Sequence, residues 1–108
     1  AVASSSRRSA LEGKLALTGL NRYFDVIVGG DEVAHGKPAP DVYVEAARRL
    51  GVRPSECLSI EDADLGAESA DAAGMRTIMI LRGDEFSATH ASVNELTAEL
   101  INAWMCRF

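Results

Sequence analysis

The stretch HGKPAPDVYVEAARRLG, residues 35–51, holds a lysine on a stiff arm. Pro38 and Pro40 fix their own φ and push the preceding residues toward extended geometry, so Lys37 and Ala39 are excluded from a helix. An ammonium presented this way can neutralise an anion; taken alone, it reads as a surface lysine on a loop. A second group is Ser4, Ser5 and Ser6, just ahead of a run that reads as a helix. Hydroxyls and free backbone N–H groups converge at such a start and the helix dipole favours an anion, which makes phosphate the natural guest. The plainer alternative is one serine as N-cap and the others filling a turn. The third group, Glu61-Asp62, offers hard oxygen donors that suit magnesium, an ion that takes carboxylates and keeps several waters. An isolated acidic pair is otherwise a solvated turn in which Asp62 or Asp64 caps the next helix.

Other reactive side chains have blander readings. His35 lies beside the Lys37 loop and reads as solvated, and His90 reads as a loop residue. Arg7 and Arg8 begin a helix, electrostatically the wrong end for cations, and read as two exposed side chains or as a second anion site beside the serines. Trp104, Met105 and Phe108 read as packing residues. Cys57 and Cys106 form neither a C-x-x-C pair nor a disulfide scaffold, so buried or free thiols and a cytoplasmic setting are expected.

The 108 residues, 47% hydrophobic and 25% charged, suit one soluble domain over residues 1–108. A formal charge of −5 argues against nonspecific binding to nucleic acid or an anionic membrane, both of which need a basic field, and no apolar run reaches membrane length. The opening residues AVASSS read as the interior of a domain.

The elements that must position these groups alternate between strand and helix. An apolar stub, Ala1 to Ala3, precedes the serines, and Arg7 to Thr18 reads as a helix burying Ala10, Leu11 and Leu15 and stopped by Gly19. YFDVIVGG is β-rich. Tyr43, Ala46, Ala47 and Leu50 then form one apolar helical face closed by Gly51. CLSIED is a strand ending in two carboxylates, DLGAESADAAG a helix bounded by Gly74, and RTIMIL a fourth strand. Residues 82–91 read as a polar connection, and Ser92 with Glu95 as the capping box of a last helix burying Val93, Leu96, Leu100 and Trp104. Short apolar strands alternating with helices imply an α/β fold with a parallel, Rossmann-like sheet of about four strands covered by helices on both faces. Such sheets bind ligands at the carboxyl ends of their strands, which is where the serines, Lys37 and the acidic pair fall.

Together, VASSS, FDVIVGGDEV, GKPAPDVYVEAARRLGV, SECLSIED and LGAESADAAGM resemble the haloacid dehalogenase superfamily of phosphohydrolases, nearest its β-phosphoglucomutase-like branch, from about Val2 to Ile80. The resemblance implies that Ser4 binds the transferring phosphoryl group, that Lys37 neutralises it and orients the nucleophile, and that Glu61 and Asp62 are magnesium ligands. Ser6 and Arg7 are similar to residues that hold a non-reacting phosphate in the mutase-like branch, and Ser5 belongs to the same phosphate loop.

The family's D-x-D-G-T/V nucleophile motif and helical cap have no counterpart here; the only D-x-D, Asp62-Ala63-Asp64, lies within the fourth motif and lacks the following G-T. The chain therefore resembles the C-terminal half of the core, with the central nucleophile strand and the cap missing. The expected function is a module of a magnesium-dependent phosphatase or sugar-phosphate mutase that is inactive alone and binds magnesium weakly or not at all. The alternative is a non-enzymatic domain that binds a phosphorylated ligand or a partner chain. In the family the missing strand lies between those ending at Ser4 and at Asp62, so two edges need a partner. A homodimer is expected, a complementary chain or direct closure of the two strands being the alternatives.

Overall fold

The computed structural model describes residues 1–82 and 90–105. Cys106, Phe108 and the side chain of Trp104 lie outside the described residues, so the readings made for them end there. Among the described residues five strands and four α-helices follow one another: β1 (Val2–Ala3), α1 (Arg8–Thr18), β2 (Ile27–Val28), α2 (Asp41–Leu50), β3 (Leu58–Glu61), α3 (Asp64–Ala72), β4 (Arg76–Ile80), β5 (Ala91–Val93) and α4 (Ala98–Met105). Every pairing is parallel, as the α/β pattern requires.

The strands form two sheets. β1 pairs with β2, and β3, β4 and β5 form a separate three-stranded sheet. Direct closure of β1 on β3 is not what the chain does. A cleft of about 390 Å³ separates them, floored by Phe24, Tyr43, Ala46, Ala47, Leu50 and Met75. One core cluster joins the small sheet to the helices, with Val28 of β2 packed with Val42, Tyr43, Ala46 and Ala47 of α2, Ala70 of α3 and Met75, and a second joins Ala67 of α3 to Met79 of β4 and Leu81. Val28 and Ile78 are wholly buried, and burying side chains of this size is worth about 1.5–3 kcal/mol each.

The helices follow the apolar spacing with local corrections. α1 begins at Arg8 and ends at Gly19, whose φ of 71° is the left-handed cap that glycine permits. Leu11 and Leu15 are buried but Ala10 is exposed, so the buried stripe is narrower than the spacing suggested. No serine caps α1. Its first N–H, that of Arg8, is met by the Asp31 carboxylate at 2.8 Å, a donation from 23 residues away that satisfies one of the helix's open donors. On α2, Tyr43, Ala46 and Ala47 are buried while Leu50 is largely exposed at the mouth of the cleft. Neither Asp62 nor Asp64 caps α3: its N-cap is Ala63, without a side-chain bond, and Asp64 is the first helical residue.

The largest departure lies at the C-terminal end. Ser92 does not open a helix; Ala91–Val93 pair with β4 in the register Ile78↔Ala91 and Ile80↔Val93, giving a fifth strand where a capping box was expected, while residues 83–89 of the expected polar connection lie outside the described residues. Edge pairing satisfies backbone groups on this side of the sheet, the Leu81 N–H donating to Val93 O at 2.9 Å, which a helix start could not do. The helix begins later, at Ala98, where the Thr97 hydroxyl accepts the N–H of Leu100 at 3.2 Å.

Candidate functional site

β1 ends at Ala3 and β3 at Glu61, and the Lys37 loop lies over both ends. Lys37 Nζ donates to Glu61 Oε1 at 2.7 Å and to the Ala3 carbonyl at 3.3 Å. The pair is largely withdrawn from water, with side-chain exposures of 13% for Lys37 and 9% for Glu61. The Lys37-Pro38 peptide bond is cis, and the chain turns through Gly36 to Pro40 directly into α2. The residue pattern thus delivers an ammonium to the carboxyl rim of both sheets.

Tyr43 adds a contact that the residue pattern did not announce. Its hydroxyl donates to the same Glu61 oxygen that accepts from Lys37, and the Lys37 ammonium sits 5.0 Å from the centre of its ring. Burial, reinforced by the hydrogen bond to Glu61 and the nearby carboxylate charges, pushes the Tyr43 phenol well above its ordinary value, so it stays protonated and remains a donor. The residue assigned to the apolar face of α2 is therefore a polar anchor as well. Gly66, one turn into α3, completes the pocket: a Cβ there would overlap the Glu61 carboxylate.

The serine loop is held against β2 by a glycine pair. Ser4 extends the β1 ladder through its N–H to Val28 O at 3.0 Å, and its hydroxyl accepts the N–H of Ser6 at 3.1 Å. Gly30 donates its N–H to Ser6 O at 2.8 Å. A Cβ on Gly30 would meet Ser5 O at 2.5 Å, and one on Gly29 would meet the backbone N of Arg8 at 2.5 Å, so only glycine allows this approach. The GG of YFDVIVGG was the available signal for it. Ser5 and Arg7 are exposed at the rim and Ser4 and Ser6 half-buried.

The remaining candidates separate from this group. Asp62 follows Glu61 but is exposed and lies 3.8 Å from Arg82. Arg8 is structural: it bonds Glu12, Glu32 and the Ile27 carbonyl. His35 sits 3.2 Å from Asp41 and His90 2.6 Å from Asp71, so both of these loop histidines face a carboxylate. Among the described residues no three His, Cys, Asp or Glu side chains converge as a metal cage. No helix among the described residues is long and apolar enough to cross a membrane.

Lys37, the end of β1 that leads into the serine turn, and Glu61 thus meet at the carboxyl ends of parallel strands, and residues 1–80 match the sequence profile of the haloacid dehalogenase-like hydrolases. The chain belongs to that family. Fructose-1-phosphate phosphatase YqaB of Escherichia coli is 46% identical over 78 residues, covering 72% of this chain and 42% of the relative. Among solved structures, a haloacid dehalogenase family hydrolase from Deinococcus radiodurans with bound phosphate and sodium superimposes with a TM-score of 0.78 at 32% identity, over 94% of this chain and 51% of that one. β-Phosphoglucomutase from Clostridium difficile does so with a TM-score of 0.74 at 28% identity, over 86% and 43%. The chain spans less than half the length of the curated relatives it matches. The resemblance drawn from VASSS, GKPAPD and SIED thus holds at the level of family and fold.

Proposed function

We propose that this chain is the phosphate-binding half of a magnesium-dependent phosphatase or sugar-phosphate mutase that acts on a phosphorylated small molecule and is inactive until a nucleophile is supplied. The observation that carries the reading is Lys37 Nζ held 2.7 Å from Glu61 and 3.3 Å from the last carbonyl of β1, a fixed ammonium at the mouth of a hydroxyl-lined turn. Charge placed beforehand where phosphoryl oxygens must sit lowers the barrier to transfer, because no reorganisation is needed during the reaction.

In this reading Lys37 and Ser4 bind the transferring phosphoryl group, with the Ser5 and Ser6 turn supplying further donors. Arg7, exposed beside that turn, holds a second phosphate on the substrate. Glu61 and Asp62 would hold magnesium. Two adjacent carboxylates fit an ion that keeps most of its own waters, and with Glu61 Oε1 already engaged by Lys37 and Tyr43 the affinity of the isolated chain is weak. When bound, magnesium would neutralise charge on the phosphoryl oxygens. None of this requires a nucleophile from Ser4, whose hydroxyl accepts the Ser6 N–H.

The test pairs binding with turnover. Isothermal titration of the chain with a sugar phosphate in magnesium should show weak binding that Lys37→Ala abolishes, while release of inorganic phosphate stays at the buffer rate. Turnover by the unaided chain that Asp62→Asn abolishes would contradict the half-site reading.

A further inference from the structure

We propose that Ser69, a hydroxyl buried on α3, is a positioning residue for the rim, holding the Lys37 arm in place through the Ala39 carbonyl. The proposal deepens the half-site reading and rests on it for the use to which the Lys37 ammonium is put. The contacts that support it lie outside both the serine turn and the acidic pair.

A serine inside a helix ordinarily points to water or bonds a carbonyl one turn back in its own helix. Ser69 lies in the interior of α3 with 0% exposure. Its hydroxyl donates out of the helix, to Ala39 O at 2.6 Å, 30 positions earlier in the chain. Serine is a poorer helix former than alanine, and a buried hydroxyl is costly unless it is bonded. The bond to Ala39 offsets that second cost and ties two distant segments together.

The receiving carbonyl matters because of where it lies. Ala39 stands between Pro38 and Pro40, neither of which has an N–H to give, so the arm is short of donors of its own. The Ala39 N–H goes back to Gly36 O at 3.0 Å, and Pro40 O accepts the N–H groups of Tyr43 and Val44 at 3.1 and 3.0 Å. Those bonds shape the turn and join it to the start of α2. Ala39 O takes its hydrogen bond from a different element, a short step along the chain from Lys37.

The same face of α3 fixes the ammonium's partner. Gly66, Ser69 and Ala70 fall at i, i+3 and i+4, and all are buried. A Cβ on Gly66 would overlap the Glu61 carboxylate, so α3 lies against the end of β3 only because glycine stands there. Ala70 belongs to the core cluster with Val42, Ala46 and Ala47 of α2. One helix face thus meets Glu61 at one turn and the Lys37 arm at the next. In this way α3 sets the 2.7 Å separation of Lys37 Nζ from Glu61 Oε1.

The test compares Ser69→Ala with Thr77→Val, which removes a buried hydroxyl bonded to Ser59 at 2.6 Å and to Asp71 at 3.3 Å rather than to the arm. Circular dichroism establishes that both variants fold. Two readouts follow: the proton–nitrogen correlation signal of the Lys37 ammonium, which persists only while the group is fixed and shielded from water, and the dissociation constant of inorganic phosphate. Ser69→Ala should erase the ammonium signal and weaken phosphate binding about fivefold, the worth of an ordinary hydrogen bond. Thr77→Val should leave both unchanged. An unchanged ammonium signal in Ser69→Ala, or equal losses in the two variants, would overturn the proposal. If Ser69→Ala does not fold, the wild-type chain decides: slow exchange of the Ser69 hydroxyl proton, with a nuclear Overhauser contact to Ala39, upholds the tie, and exchange at the rate of free serine overturns it. The ammonium signal needs no phosphate, so a wild-type chain that binds none refutes the half-site reading while that signal still decides the role of Ser69.

Discussion

Replacing Lys37 by methionine keeps most of the side chain's length and removes only the charge. Glu61 is then left 9% exposed with no cation and a single neutral donor, the Tyr43 hydroxyl. Breaking a buried ion pair from one side costs about 3–5 kcal/mol, since the surviving charge is left uncompensated. The remaining Tyr43 hydrogen bond offsets about 1–2 kcal/mol of that, as bonds to charged acceptors do. The expected loss is therefore about 1–4 kcal/mol. With a urea slope of about 1.5 kcal/mol per molar, this lowers the unfolding midpoint by roughly 0.7–2.7 M. Adding Glu61→Gln removes the stranded charge and keeps an acceptor for Tyr43, so the double variant should recover about 1–2 kcal/mol. Urea unfolding followed by circular dichroism reads all four corners of the cycle. A loss below about 0.5 kcal/mol for Lys37→Met, with strictly additive single changes, would mean the pair is solvated and the rim is not preorganised.

Tyr43→Phe removes the phenol donor while keeping the ring, and should lower stability by about 1–2 kcal/mol in the same assay; no change would show that the hydroxyl contact to Glu61 is unimportant. Gly30→Ala puts a Cβ 2.5 Å from Ser5 O, and should cut phosphate affinity at least tenfold while leaving the far-ultraviolet spectrum in place. Arg48 and Arg49 hold the half-buried Glu45 carboxyl down at about 2. A carboxyl whose folded value is depressed stabilises the fold above its unfolded value and loses that contribution as pH falls toward the folded one. Acid titration between about pH 4.5 and 2 should therefore show a decline in stability that Glu45→Gln makes shallower.

The parts of this structure that the sequence announced are those where local chemistry leaves little choice. Pro38 and Pro40 exclude helix before α2, and the spacing of Tyr43, Ala46 and Ala47 makes that helix's buried face, so the Lys37 arm was legible residue by residue. The convergence of Lys37 and Glu61 was legible from motif order on a parallel sheet. What stayed hidden depends on contacts between distant residues. Asp31 caps α1 from 23 positions away, where three serines offered a more obvious local cap. Ala91–Val93 carry a serine that fits a capping box, and only the open edge of β4 makes them a strand. Tyr43 was legible as an apolar residue because its ring packs in the core, whereas the role of its hydroxyl depends on where Glu61 ends up.

The central claim is that a preorganised ammonium and a serine turn form an anion site at the shared rim of β1 and β3. Its most direct test is an NMR titration of the labelled chain with inorganic phosphate, repeated on Lys37→Met. The account predicts that saturable shifts in the wild-type chain centre on the amides of Ser4, Ser5 and Ser6 and on the Lys37 side-chain resonances, and that the variant loses them. Phosphate shifts scattered over other basic residues, or a serine-turn response that survives without Lys37, would contradict it.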